Sequence, residues 1–268
     1  MSQDSDVAKA VLGQLPAALA EAVSVATPLT MSRIEGRDEA VPVLRKLASS
    51  FGISEPEFVA ADDQRAFVTF VGSGQGREVG LFAVLTRGTE GTYSAVDLYA
   101  RPWPFVKLVR DHLAASDERF RTDIDLSVPY VAAGPPGGFR TEPPGLPGRS
   151  ADVAFHSPVL TDTAAGGELV GIILKAVEDV SGAPRFRVVS RFGEAYVVLY
   201  DARVHGHAWQ LGAVFGLDGD GEIADMRVYS RPWPVSAFFR GEVYKLLRDR
   251  LGPQYWQGEN PLVVLGEA

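Results

Sequence analysis

The sequence predicts an α+β protein built from two related units, and two observations lead to that prediction. The hexapeptide YARPWP at 99–104 recurs as YSRPWP at 229–234, an offset of 130 residues. An ungapped comparison of 23–113 with 153–243 gives eighteen identities, where composition alone would give about six. Within each unit, helical patterns come before a run of β-rich segments, which is the order typical of α+β folds. We therefore infer a duplication.

The domain boundaries follow from composition. The chain has 268 residues, and a domain has roughly 150 as a soft prior. Residues 134–149 (GPPGGFRTEPPGLPGR) hold ten Pro or Gly in sixteen positions, which is typical of a linker. The predicted organisation is an N-terminal domain over 1–133, a linker over 134–149 and a C-terminal domain over 150–268.

The elements are predicted in chain order. Apolar positions at helical spacing predict an N-terminal helix over 4–23. In the second copy, a short strand over 152–158 ends at Pro158, and an apolar face predicts a helix over 167–180 that ends before Gly182. The alternation of apolar and polar residues, together with turn residues between the segments, then predicts four antiparallel strands: 185–190, 195–204, 208–217 and 222–230. Two prolines end the last strand, and a helix over 235–251 follows.

Charge and composition exclude several classes of function. Lys and Arg number 26 against 34 for Asp and Glu, a net charge of −8, and the chain has no cysteine. Nucleic acid is therefore an unexpected partner, and disulfides and thiolate metal sites are excluded. The polar N-terminus and the absence of a long apolar run predict a cytoplasmic protein without a membrane partner.

Three strings in the second copy resemble a known family. VAFHSP at 153–158, LDGDGEI at 217–223 and RVYSRP at 227–232, in that order around a helix, resemble the SnoaL-like group of the nuclear transport factor 2-like superfamily. The resemblance implies that each copy is a curved antiparallel sheet wrapped around helices, a cone with one apolar pocket. It also implies an intramolecular pseudo-dimer, and a homo-oligomer stays open. The superfamily includes polyketide cyclases, ketosteroid isomerases, limonene-type epoxide hydrolases, dehydratases and domains without catalysis.

Polar groups are concentrated in the second copy, so the C-terminal pocket is the expected functional one and the N-terminal pocket is expected to be degenerate. Asp201 and Arg203 lie two apart on a predicted strand and share a face. Their spacing is similar, in reversed order, to the Arg-x-Asp of limonene-type epoxide hydrolases, with Asp225 as the nearest further carboxylate. The alternative is a surface charge pair. The residues compared across the offset are His156 with Ala26, Asp201 with Val71, and Arg203 with Ser73.

Catalytic roles are assigned on chemistry. Asp201 is the candidate base, Arg203 its orienting partner, and His156 a proton donor; a hydrogen-bonded structural histidine is the alternative for His156. Four aromatic residues are candidates for substrate binding, and core positions or strand architecture are the alternatives for them. They are Tyr196, Trp209, Tyr229 and Trp233.

Several weaker candidates are interpreted structurally. His205 and His207 flank a glycine and are expected to be solvated turn residues rather than metal ligands. The acidic residues over 218–222 predict a tight turn rather than a calcium loop. A third option places function in the first copy, where Arg33, Glu35 and Asp38 could line a pocket mouth.

Two hypotheses follow. The first is a cofactor-independent enzyme, a cyclase, isomerase or epoxide-opening enzyme, that uses acid/base catalysis on an apolar polyketide- or terpenoid-like substrate. The second is a non-catalytic ligand-binding or scaffold protein. A closed C-terminal cone packed with side chains, or an Asp201 that faces solvent, would favour the second hypothesis.

Overall fold

The computed structural model describes residues 3–88, 91–121 and 145–266. The chain divides into two compact units: Met1–Ala100 with Phe105–Thr122, and Arg101–Pro104 with Asp123–Ala268. Most of the predicted linker lies outside the described residues, so the boundaries at 133 and 149 stay predictions. Within the described part of the chain, no helix has the length and apolarity needed to cross a membrane.

The first unit mixes helices with one main sheet, in which β3, β4, β5 and β6 are neighbours in that order and β1 pairs in parallel with β6. Its elements are α1 (Gln3–Val11), β1 (Leu19–Ala26), β2 (Ile34–Glu35), α2 (Arg37–Phe51), β3 (Pro56–Ala61), β4 (Arg65–Gly74), β5 (Arg77–Arg87), β6 (Tyr93–Arg101) and α3 (Trp103–Ala114).

The second unit repeats this order without a described counterpart of α1. Its sheet has the order β9-β10-β11-β12, and β7 pairs in parallel with β12. Its elements are β7 (Arg149–His156), β8 (Ala164–Ala165), α4 (Gly167–Ser181), β9 (Arg185–Phe192), β10 (Ala195–Val204), β11 (His207–Leu217), β12 (Ile223–Arg231) and α5 (Trp233–Leu247).

The bounds of the two sets of elements agree across the offset. Adding 130 to the bounds of β1, β2, α2, β4, β5 and β6 gives those of β7, β8, α4, β10, β11 and β12 without exception. Strand positions in one unit can therefore be compared residue by residue with those in the other. The α+β class is confirmed.

Two predicted elements need correction. The N-terminal helix ends at Val11, and Leu19–Ala26 is a strand; Leu19 and Val23 fit a helical face, but pairing with β6 buries them instead. The last long helix begins at Trp233 rather than residue 235, because the first helical turn tolerates proline. After this helix, Val263–Leu265 forms a short 3₁₀ helix.

The sheet of the second unit curves around its helices. Helix α5 packs on β10, β11 and β12, whereas α4 packs on both β7 and β10. Register shifts interrupt the pairing of β10 with β9, of β11 with β12 and of β12 with β7, and β-bulges of this kind bend a sheet.

The space between this sheet and α5 is filled by side chains. The rings of Trp209 on β11 and Phe239 on α5 have centroids 4.1 Å apart, and each residue is only 1% exposed. The indole Nε1 of Trp209 donates a hydrogen bond to Ser236 Oγ at 3.1 Å. Ser230 and Ser236 also share a hydrogen bond of 2.8 Å. The interior is a close-packed core at this level of the sheet.

Candidate functional site

The two faces of the second sheet carry different chemistry. Trp209 contacts α5, so the residues that share its side of the strands form the helix-facing side. Tyr196 and Tyr200 lie on this side and are half-buried. Burial raises the pKa of Tyr200, which keeps its phenol neutral as a hydrogen-bond donor. The helix-facing side therefore offers aromatic surface and hydroxyl groups.

Asp201 lies on the opposite side of the sheet. Asp201 is opposite Gln210 in the pairing of β10 with β11, and Gln210 is opposite Arg231 in the pairing of β11 with β12. Gln210 follows the helix-facing Trp209 on β11. Because successive side chains of a strand point to opposite sides, Gln210 and Asp201 lie on the side away from the helices. One oxygen of Asp201 lies 3.0 Å from Nε of Arg187. Burial raises the pKa of Asp201, and the nearby guanidinium groups of Arg187 and Arg231 offset only part of that effect.

Arg203 does not take the position expected for it. Its side chain is exposed and donates a 2.9 Å hydrogen bond to the carbonyl of Gly206 in the turn between β10 and β11. Asp201 pairs with Arg187 on β9 instead. The two residues share a strand and a side, as their spacing predicts, but Arg203 is engaged by the turn.

His156 belongs to a separate polar cluster. Its Nδ1 lies 3.1 Å from Thr163 Oγ1, and its Nε2 lies 3.2 Å from Asp225 Oδ1. Arg227 donates a 2.7 Å hydrogen bond to the other oxygen of Asp225. Burial by itself would raise the pKa of Asp225, but the hydrogen bond with His156 and the charge of Arg227 outweigh it and lower the pKa. The cluster therefore places the His156 imidazole beside a carboxylate whose ionised form is favoured.

The two polar clusters lie far apart on one side of the sheet. His156 is level with Arg227, and Asp201 is level with Arg231, four residues further along β12. Three strand spacings also separate β7 from β10, so the distance is about 19 Å at roughly 4.8 Å per spacing and 3.3 Å per residue. His156 and Asp201 therefore do not reach the same reacting atom.

The four aromatic candidates for substrate binding lie in different parts of the second unit. Tyr196 and Trp209 lie on the helix-facing side, and Trp209 is a core residue. Tyr229 is fully buried on the other side, in register with Gly212. Trp233 begins α5 and is half-buried. The four side chains therefore do not line one common pocket.

An open cleft for which no function was predicted lies between α4 and the C-terminal end of α5. Its volume is about 530 Å³. Leu246 in the cleft is 49% exposed, an unusual exposure for a large apolar side chain. The lining residues are Gly167, Glu168, Gly171, Ile172, Lys175, Ala176, Asp179, Leu246, Leu247 and Arg250. One sequence signal was present: Gly171 and Ala176 stand where the first copy has Val41 and Lys46.

The first unit has a smaller cleft of about 330 Å³, lined in part by Arg33, Glu35, Glu39 and Arg119. Arg33 donates a 2.8 Å hydrogen bond to a carboxylate of β6 and a 2.6 Å bond to a serine hydroxyl of β1. Asp38, predicted beside Arg33 and Glu35, is not one of the residues that line this cleft.

Metal binding gains no support from the described residues, which hold no group of three or more His, Cys, Asp or Glu side chains suited to an ion. His205 is exposed in the turn, as predicted, whereas His207 is 3% exposed and packs edge-on against Phe238 at 6.0 Å. The expectation that His207 is solvated is wrong, because the first residue of β11 points into the packing under α5.

Comparisons with known proteins give partial likenesses in structure. No protein-family model matches the chain, and no curated protein matches it. A protein with a cystatin-like fold from Silicibacter pomeroyi is 23% identical with a TM-score of 0.38, and the match covers 44% of this chain and 86% of that protein. A steroid delta-isomerase from Pseudomonas aeruginosa is 13% identical with a TM-score of 0.36, covering 43% and 92%. A protein with a ketosteroid isomerase-like fold from Catenulispora acidiphila is 12% identical with a TM-score of 0.28, covering 35% and 82%.

Proposed function

We propose that this chain is a binding protein whose second unit presents the cleft between α4 and α5 to an apolar ligand. The open cleft is the observation that carries the proposal: two glycines and four apolar side chains line it, together with the charged residues Glu168, Lys175, Asp179 and Arg250. Apolar surface of this kind with a polar rim is typical of recognition sites.

The interior of the second unit supports binding over catalysis. Trp209, Phe239 and the two bonded serines fill the space between sheet and α5. The predicted acid and base lie on the opposite side of the sheet, about 19 Å apart by strand geometry. The fold we propose for the unit is the nuclear transport factor 2-like cone, supported by its element order and by the bend of its sheet around α4.

Binding in the cleft can be tested with 1-anilinonaphthalene-8-sulfonate, an anionic dye whose fluorescence rises when its aromatic rings enter apolar surroundings. Gly171→Trp fills the cleft, since a Cβ at Gly171 meets no atom within 4 Å. We expect at least a tenfold weaker dye affinity for this variant than for the wild type. Leu108→Trp, at a 42% exposed position of the first unit, controls for an added surface indole. Equal affinity in wild type and Gly171→Trp would exclude the cleft as the binding site.

A second candidate function is acid/base catalysis at the His156 cluster. The specific observation is the chain of polar contacts from Thr163 through His156 to Asp225, whose first-unit counterparts are Arg33, Ala26 and Ala95. In this proposal the imidazole removes a proton beside a substrate carbonyl and returns it elsewhere, while Asp225 stabilises the imidazolium. The roles of Asp201 as base and Arg203 as its partner stay predictions.

The catalytic candidate is tested by isomerisation of a β,γ-unsaturated 3-ketosteroid, in which a conjugated enone forms and absorbs in the ultraviolet. Catalysis at this cluster would make His156→Gln inactive and leave Asp201→Asn active. Loss of activity in Asp201→Asn alone would assign the base to Asp201 rather than to His156. No turnover by the wild-type protein would leave the binding function as the surviving proposal.

A further inference from the structure

The side of α4 that lines the cleft combines small, apolar and charged residues in a fixed order. Because residues three and four apart are neighbours on a helix, these residues share one side of α4. A Cβ at Gly171 meets no atom within 4 Å, and Leu246 of α5, beside this side, is 49% exposed. Glycine and open space allow another helix to approach closely. In chain order the residues on this side are Gly167, Glu168, Gly171, Ile172, Lys175, Ala176 and Asp179.

The charges on this side are exposed, and they alternate in sign along the helix. Glu168 is exposed and forms no ion pair with any residue that the structure describes. Lys175, seven residues further on, is 65% exposed although its Nζ lies 2.9 Å from Asp179 Oδ1 and 3.2 Å from Glu178 Oε2. Two exposed opposite charges, about two turns apart, are therefore available to a partner with the reverse order of charges.

A two-fold axis turns this order of residues into a complementary one. We consider two copies of α4 that pack antiparallel and cross between positions 171 and 172. Position 168 of one copy is then level with position 175 of the other, so Glu168 meets the partner's Lys175 and two symmetric ion pairs form. Ile172 lies over the partner's Gly171, so that a large side chain fills the open space beside a glycine.

Other arrangements of the two helices lose this agreement. Sliding the partner by one turn in one direction places Glu168 level with the partner's Asp179, and like charges then oppose each other. Sliding it by one turn in the other direction places Lys175 level with position 164, before α4 begins. Parallel packing about a two-fold axis places Glu168 level with the partner's Glu168. The order of charges and the place of the glycine therefore favour the same single register.

We propose that this side of α4 is a dimer interface, at which α4 of a second copy of the chain packs antiparallel. This inference rests on the proposed binding function and names a second copy as an occupant of the cleft. The side runs from Gly167 to Asp179, about 18 Å at 1.5 Å per residue. One helix side of this length is small beside a standard interface of about 800 Å² per partner. The dimer is therefore reversible, forms at high protein concentration and competes with the dye for the cleft.

Charge reversal in the full-length protein tests this arrangement. Sedimentation equilibrium at low ionic strength measures dissociation of the dimer into chains of 28.8 kDa, because salt screens exposed charges. We expect Glu168→Lys and Lys175→Glu each to weaken the dimer at least tenfold, since each variant opposes like charges at two symmetric places. An equimolar mixture of the two variants is expected to dimerise as tightly as the wild type, because opposite charges meet again between unlike chains.

Glu194→Lys provides the matched control. It makes the same change of charge as Glu168→Lys at an exposed position in the turn between β9 and β10, and we expect it to leave the dimer unchanged. Circular dichroism checks that each variant is folded. Gly171→Trp, which fills the space for the partner's Ile172, is expected to abolish the dimer without relying on charge.

The outcomes separate this inference from the proposed function. A protein that stays at 28.8 kDa at every concentration overturns the dimer, and the binding function stands if the dye still binds in the cleft. A dimer that neither the charge reversals nor Gly171→Trp weaken uses another surface and also overturns the inference. A mixture of the two reversal variants that dimerises no more tightly than each variant alone overturns the antiparallel register. The proposed function fails separately, when Gly171→Trp binds the dye as tightly as the wild type.

Discussion

The difference between Gly171 and Gly241 gives a quantitative prediction about the open cleft. Both glycines lie inside helices of the second unit, α4 and α5. A Cβ at Gly171 meets no atom within 4 Å, whereas one at Gly241 would come within 2.7 Å of the Pro261 carbonyl and 2.9 Å of Leu265. The same substitution, Gly→Ala, therefore has opposite expected effects at the two positions.

The magnitudes follow from helix propensity and packing. Alanine is favoured over glycine by about 0.8–1.0 kcal/mol in a helix interior, so Gly171→Ala is expected to stabilise the protein by nearly that amount. At Gly241 the same gain is opposed by an overpacking cost of about 1–3 kcal/mol, with a net destabilisation of about 1 kcal/mol. The two variants should differ by about 2 kcal/mol.

Urea denaturation followed by circular dichroism measures this difference as a shift of midpoint multiplied by the slope. Wild type is the common reference, and the glycines control for each other, since both variants add one methyl group to a helix. A destabilised Gly171→Ala would refute the reasoning, because it would mean that other atoms already cover the cleft.

Three further predictions concern the core and the ionised groups. Trp209→Phe removes the hydrogen bond to Ser236 and part of a buried ring, and urea denaturation should show a loss of about 2–3 kcal/mol; a smaller loss would contradict the packed interior. Hydrogen bonds and charge from Arg119 hold the pKa of Asp117 below its ordinary value despite partial burial. The ionised Asp117 carboxylate therefore contributes its full stabilisation above the pKa of an aspartate in the unfolded chain, about 4, and this stabilisation is lost as the pH falls towards the lower pKa of the folded state. Asp117→Asn should flatten the acid limb of the stability–pH curve, and an unchanged limb would refute the coupling. Asp225→Asn should flatten it in the same direction through the lost pair with His156, with histidine NMR signals as the local readout.

The sequence predicted the strands of the second unit closely because each is bounded by a turn or a proline. The strand 195–204 matches β10 at both ends. The first strand of the first unit was missed because Leu19 and Val23, four residues apart, suit a helix and a strand equally. The internal repeat already held the correction, since the predicted strand at 152–158 maps onto 22–28.

The candidate site was less predictable for a physical reason. Alternation correctly places Asp201 and Arg203 on one side of a strand, but the side that faces the helices depends on which strands pair and how the sheet bends. The partner of Asp201 is Arg187, which lies at a register shift between β9 and β10, and local spacing does not reveal such shifts. The cleft is lined by Gly171 and Ala176 where the first copy has Val41 and Lys46, so only comparison of the copies could indicate it.

The ion pairs on the last strand of each sheet have a consequence for how a duplicated chain assembles. In the first unit Arg33 pairs with Asp97 at 2.8 Å, and the residue that corresponds to Asp97 across the offset is Arg227. If β12 took the place of β6 during folding, Arg227 would meet Arg33, and two like charges would be forced together. Repeated segments are prone to exchange of this kind, and the inverted charge would oppose that exchange.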